Sequence, residues 1–402
     1  MSRLTQQDKQ PGQQRGQQQG LSLIELMVAM TLGLMILTGL AVVFATSSQS
    51  QRDLQRSAQQ IENGRYAMDV LTHEMHHAGF YGRYAAYATG TTLPDPCITG
   101  NEAALLAALP YPVQGFVAAS ATSKPDLSGT SCATYLPSAN LHPGSDIIVI
   151  RRATTTSLRH PTDGLTPTVS SAETAVSNEV YLQSNPAGAE IQFGNGSAIS
   201  ATSNASGATA TIKQKSGNGE FIRKFNVLIY FVAPCSIPAS GTICTGSSDD
   251  SGKPTPTLKR LELTVSGGAT TFTVAPISEG VEVLKVEYGI DNSPTTANAS
   301  TTRIGDGAPD VYIPNASTTA PTAADYPNAV SAKVWLVARS PEASAGYTDS
   351  KSYPVATSAT ALGAGTVAGT GLTYGPYNDA YKRHAFFSEI RMINLSSRRE
   401  NP

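Results

Sequence analysis

Residues 20–45 read GLSLIELMVAMTLGLMILTGLAVVFA, and this stretch governs how the rest of the chain is read. After Glu25 no charged residue appears until Arg52, and Leu26 to Ala45 is almost wholly apolar. A helix rises about 1.5 Å per residue, so roughly 20 such residues cross the ~30 Å hydrocarbon core of a bilayer. No other stretch of the sequence comes close. Glu25 stands at the edge of the run. A charge within a membrane costs about 2.5 kcal/mol or more, so an acid in this position calls for a function and a partner.

Upstream lies a polar leader, MSRLTQQDKQPGQQRGQQQG, with Arg3, Lys9 and Arg15 against Asp8. A secretory signal carries its small-residue cleavage site after the apolar core. Here the small residue, Gly20, precedes it, so a cut at that point removes the leader and leaves the apolar helix as the new terminus. The basic residues before the span, with no matching basic cluster just after it, place residues 1–20 in the cytoplasm and the body outside.

This arrangement resembles the class III signal of type IV prepilins: Gly20, an apolar residue at Leu21, and Glu25 at the fifth mature position. The resemblance implies cleavage between Gly20 and Leu21 by a prepilin peptidase, with N-methylation of the new terminal residue. It also implies that Glu25 pairs with the terminal amine of a neighbouring subunit when the helix leaves the inner membrane for the filament. Two opposite charges in a medium that solvates neither would satisfy one another. Most pilins have Phe where this chain has Leu21; both are bulky and apolar.

The 402 residues allow one large or two modest domains beyond the anchor. A formal net charge of −2 gives no basic footprint for nucleic acid. Cys97 and Cys132 form one neighbourhood, Cys235 and Cys244 another, and no CxxC pair suggests a zinc ribbon or a redox motif. In an oxidising compartment two disulfides follow, with pairing by proximity one of three possible connectivities.

From Thr46 to His77 the composition turns polar but stays helical. Leu54, Ala58, Ile61, Met68, Leu71 and Met75 recur at gaps of three, four and seven, which draws one stripe on a helix expected to lie against a sheet. No proline falls between Leu21 and Phe80, so anchor and stripe read as one helix of roughly 57 residues over 21–79, membrane-spanning in 21–46. Gly33 and Gly39 are weak points where a bend is tolerated, and Gly79 is a natural stop. The helix ends in His73-Glu74-Met75-His76-His77, a formal HExxH. Catalytic zinc needs a third protein ligand and an open position, and nothing downstream of His73, Glu74 and His77 supplies one beyond an isolated Glu102. The pentad reads as a solvated helix end, its histidines suited to the helix dipole.

Beyond Tyr81 short segments rich in β-branched and aromatic residues alternate with turn residues. Strands are expected over 144–152, 179–183, 190–193, 208–213, 225–233, 258–265, 271–274, 281–288, 330–338 and 386–395, and a short helix over 102–109. The Ser/Thr/Gly/Asn-rich stretches 196–207, 239–257, 293–322 and 357–371 read as surface loops. Motifs for acyl or phosphoryl chemistry are missing: no GxSxG and no phosphate-cradling glycine loop followed by Lys-Ser/Thr.

The order of these strands sharpens the resemblance. LTHEMHHAGFYG (71–82), GSDIIVIRR (144–152), GVEVLKVEYGID (280–291) and an Arg-rich end, KRHAFFSEIRMINL (382–395), are similar to stretches of PilW-type minor pilins. That family carries a GVE-x-[LM]-x-x-x-YG-[IV]-D signature, and His76 stands where its members have Arg. The resemblance implies an α+β, type IV pilin-like fold, with a long N-terminal helix packed on a large antiparallel β body over 80–402. It implies a minor pilin of a priming or tip complex, without catalysis or cofactor, meeting other minor pilins and the major pilin through its N-terminal helix. J-type pseudopilins of type II secretion share the architecture and give the alternative reading; a tip adhesion subunit is another, and a membrane-tethered zinc hydrolase the enzyme-class one. Asp291, Asp306 and Asp310 could converge on calcium, although aspartates beside glycines are most often turn residues.

Overall fold

A computed structural model describes residues 22–85, 92–164, 169–293, 305–314, 321–356 and 372–400. Gly20, Leu21 and the expected loop 357–371 lie outside the described residues. The architecture is α+β, a long helix followed by an antiparallel body. The chain divides into two units, 1–55 and 56–402.

The first helix, α1 (Leu23–His76), is unbroken through Gly33 and Gly39. In its first unit the side chains from Leu23 to Phe44 are exposed, Leu23 by 76% and Phe44 by 74%. The polar side chains in this run satisfy themselves on the helix. Thr31 donates to the Val28 carbonyl (2.9 Å), Thr38 to Leu34 (2.8 Å) and Thr46 to Val42 (2.9 Å), as a hydroxyl must where water is absent.

In the second unit α1 buries Gln60, Gly64, Ala67, Leu71, Glu74 and Met75. The buried stripe is therefore rotated from the one expected. Leu71 and Met75 lie on it, but Ile61 is 42% exposed and Leu54 also faces out. The reason lies in two residues that hydropathy does not mark as core. Gln60 donates Nε2 to the Ala338 carbonyl (2.7 Å), and Gly64 offers bare backbone on which the Phe386 ring lies.

The body opens with α2 (Glu102–Ala107), capped by Asn101, then β1 (Val113–Phe116) and α3 (Cys132–Tyr135). Strands β2 (Ile147–Ala153), β3 (Val180–Asn185), β4 (Gly188–Phe193), β5 (Ile222–Ala233), β6 (Thr257–Ser266) and β7 (Ala269–Glu279) complete a seven-stranded antiparallel sheet with β1. Its spine is β5, twelve residues long. One of its edges carries β2, while the other carries β3 and then β6. Next come β8 (Val281–Ile290), β9 (Val311–Pro314), β10 (Ala329–Arg339), a small pair β11 (Tyr353–Pro354) and β12 (Thr373–Tyr374), β13 (Arg383–Arg391) and finally α4 (Ile393–Glu400). The second sheet is antiparallel in the order β13-β10-β8-β9.

The main core forms where α1 meets both sheets: Ala67, Leu71 and Met75 join Ile148, Ile150 and Tyr230 from one and Leu284, Val334 and Leu336 from the other. Burying each of the larger side chains contributes about 1.5–3 kcal/mol. The opposite face of the seven-stranded sheet is covered by Leu105, Leu109, Leu136 and Leu141 and carries both disulfides, Cys97–Cys132 and Cys235–Cys244.

Other expectations also differ from the structure. No strand forms over 208–213, where only isolated bridges (Ser203 with Thr209, Lys213 with Gly219) hold glycine-containing turns. The last expected strand stops at Arg391, and Asn394 and Leu395 belong to α4. The expected loop 293–322 contains β9, and β1 lies in a stretch assigned to no element.

Gly64 gives a test whose sign is informative. In an ordinary exposed helix Gly→Ala stabilises by roughly 0.5–1 kcal/mol. Here a Cβ would run into Cε2 and Cζ of Phe386. Gly64→Ala is expected to destabilise by about 1–3 kcal/mol, and Gly64→Ala/Phe386→Leu to recover most of the loss, by thermal unfolding of the detergent-solubilised full chain.

Candidate assembly site

Glu25 sits in the first turn of α1, whose first hydrogen bonds run from the amides of Glu25 (2.9 Å) and Leu26 (3.1 Å) to the Ser22 carbonyl. An acid is favoured there by the helix dipole. Its carboxylate is exposed, and among the described residues it has no cationic partner. A helix of mean hydropathy 2.4 in its most apolar window, with none of that window buried, is long and apolar enough to cross a membrane.

At the other end of α1 the HExxH pentad lacks the free carboxylate that hydrolytic zinc chemistry needs. Glu74 is buried, contrary to the solvated end expected, and both its oxygens are taken by Arg152 of β2: Nε to Oε2 at 2.6 Å and Nη2 to Oε1 at 3.1 Å. A carboxylate held this way cannot serve as a general base. The His73 and His77 rings lie 4.6 Å apart, and His77 Nδ1 meets the His73 carbonyl at 2.8 Å. Gly79 then ends the helix with φ +72°, its amide donating to the Arg151 carbonyl at 3.0 Å. Helix end and β2 are thus clamped together, and α4 adds a bond from Asn394 Nδ2 to the Ala78 carbonyl (3.1 Å).

The stretch 280–291, GVEVLKVEYGID, is legible residue by residue. Gly280 turns the chain between β7 and β8 at φ +81°, where a Cβ would meet the Arg339 carbonyl at 2.8 Å. Glu282 holds Arg383 through two bonds, Nε to Oε2 at 2.5 Å and Nη2 to Oε1 at 3.1 Å. Arg383 also binds Asp349 (3.0 Å) and Asp379 (2.6 Å) and lies 3.7 Å from the Tyr377 ring centre. The Arg383 hydrogen bond holds the Asp379 carboxyl below the ordinary carboxylate range. Lys285 is buried against Asp146 at 2.7 Å. Gly289 leaves room for Tyr312, whose Cε1 a Cβ would meet at 2.8 Å. Asp291 is fully buried beside Arg399.

The three aspartates considered for calcium are engaged within the protein. Asp291 is paired with Arg399. Burial alone would push its carboxyl up, but hydrogen bonds from Arg399 and from the amides of Ser293 and Gly307 hold it below the usual range. Asp310 accepts from the Asn292 amide (2.8 Å) and the Ser293 hydroxyl (3.2 Å), and Asp306 accepts from the Ala308 amide (3.0 Å). Among the described residues the only grouping of metal-binding side chains is Cys235, Cys244 and Asp249. Its sulfurs are bonded to each other, and Asp249 accepts from the amides of Ala239, Thr245 and Gly246. Asp249 is a loop-organising residue.

An apolar, acid-headed helix that enters an antiparallel body through its outer half defines the type IV pilin-like class. Residues 15–41 match the family model described as Prokaryotic N-terminal methylation motif, and residues 244–394 match Type IV Pilus-assembly protein W. Together these matches support a type IV pilus minor pilin of the PilW family. The second match takes in the whole sheet β13-β10-β8-β9. No curated protein and no solved structure matches the chain.

The cationic partners Arg152, Arg383 and Arg399 were not identifiable as such from the sequence. For Arg383 and Arg399 the one visible signal is the crowding of arginines over 383–399. Arg152→Ala, which strands a buried carboxylate at the end of α1, should cost about 3 kcal/mol or more. Removing both charges, Glu74→Leu/Arg152→Met, should recover most of the loss in thermal unfolding.

Proposed function

We propose that the chain is a minor pilin that joins other minor pilins and the major pilin in a low-copy priming or tip complex of a type IV pilus, with no catalytic role. In this reading residues 1–20 are a cytoplasmic leader, removed by the prepilin peptidase between Gly20 and Leu21. Residues 21–79 are the assembly helix, membrane-spanning in 21–46 before extraction from the inner membrane. Residues 80–402 are the body, periplasmic first and then at the filament surface.

The observation that carries the proposal is the exposed apolar face of α1 headed by Glu25. Side chains as apolar as Leu23, Ile24 and Phe44 need lipid or other apolar helices around them. A single acid there is affordable when a neighbour's ammonium neutralises it. In the body an open groove of about 880 Å³ along α1 sets Ile61, Met68 and Phe386 beside Glu62, Arg65 and Asp69, a mixed apolar and charged surface. The size of the body favours a position where it need not repeat closely, hence the tip. Oxidised cysteines are consistent with an exported body.

Glu25→Ala, expressed in cells lacking the native chain, is expected to be inserted and cleaved normally while surface piliation falls sharply, scored by electron microscopy and sheared-pilin yield. Normal filaments would overturn the role given to Glu25. Gold labelling of the body all along the shaft would overturn the low-copy tip position, and loss of protein secretion with intact pili would point to a J-type pseudopilin.

A further inference from the structure

Asp291 and Ser293, just after β8, and Asn328, just before β10, direct a set of oxygens at one cation, and that cation belongs to the chain itself. Arg399 of α4 donates Nη2 to the Asp291 main-chain carbonyl (3.0 Å), to Asp291 Oδ1 (3.2 Å) and to the Ser293 carbonyl. Its Nε reaches Asp291 Oδ2 at 3.3 Å, and its Nη1 reaches Asn328 Oδ1 at 3.2 Å. Carboxylate, backbone carbonyl and side-chain amide oxygens are the donors with which proteins hold calcium. Asp291 is fully buried and Arg399 is only 7% exposed, so the charges are matched away from water.

Gly305 and Gly307 show that α4 is seated closely. A Cβ at Gly305 would meet the Arg399 carbonyl at 3.0 Å, and one at Gly307, whose φ is +69°, would meet the Ser396 carbonyl at 2.7 Å. Ser396 Oγ donates to the Gly307 carbonyl (2.7 Å), and Arg398 donates to the Pro327 carbonyl (2.8 Å). We propose that the Arg399 guanidinium is a tethered cation filling an oxygen cage of calcium-ligand chemistry, so that α4 fastens Asp291 and Ser293, at the end of β8, without metal. The corollary is a latent divalent-cation site, exposed when the guanidinium is removed. The inference rests on these contacts and not on the pilus reading.

The full chain in detergent, unfolded thermally in a chelator or in about 5 mM calcium chloride, supplies the test. Wild type should show the same Tm in both. Arg399→Ala should lose about 5 °C or more in chelator and regain at least half of it in calcium, whereas Asp291→Asn/Arg399→Ala should gain nothing. Arg399→Ala without any calcium response, or wild type with an equal one, overturns the proposal. Should Arg399→Ala fail to fold in chelator, recovery of folded protein only when purified in calcium supports the proposal. Failure in both conditions overturns it.

Discussion

The first two dozen or so residues of α1 present an apolar surface to their surroundings, and the rest of the account depends on that constraint. Each of these leucines, methionines and valines favours an apolar environment by the same free energy that builds a protein core. In the proposed reading lipid supplies it first and neighbouring helices later, so that one helix would serve as anchor and as filament core. The constraint also explains why the only acid in the run stands at its head. Farther along it would face hydrocarbon with no partner in reach.

Within the body the same helix has a different task, and pairs of charges fix its seat. Glu74–Arg152 ties the end of α1 to β2, Glu282–Arg383 ties β8 to β13, and Asp291–Arg399 ties the end of β8 to α4. Such buried pairs add little net stability over apolar replacements, but losing one partner is costly. Their geometric value is that a bidentate fork accepts few alternative registers. The four-stranded sheet lies wholly within the segment that matches the PilW family model, and two of these three pairs hold it together.

Residue type alone reveals some of this. The apolar run, the glycine stop at Gly79, the strand from Ile147 and the signature from Gly280 are legible because local chemistry and final structure agree. The inner face of α1 is not: Gln60 and Gly64 are buried because a carbonyl on β10 and a ring on β13 happen to meet them. The expected strand over 208–213 fails for a related reason, since alternation among small residues such as Ala208 and Ala210 buries too little to sustain pairing. The partners of Glu74, Glu282 and Asp291 lie 78, 101 and 108 residues away. No local pattern announces pairs at that separation.

The central claim is that this chain is a prepilin whose apolar helix becomes its N-terminus. Intact-mass and N-terminal analysis of the chain purified from piliated cells tests it most directly. The account predicts a polypeptide beginning at Leu21 and carrying one methyl group on its terminal amine. A mature chain that still begins at Met1, or one cut after the apolar run, would contradict it.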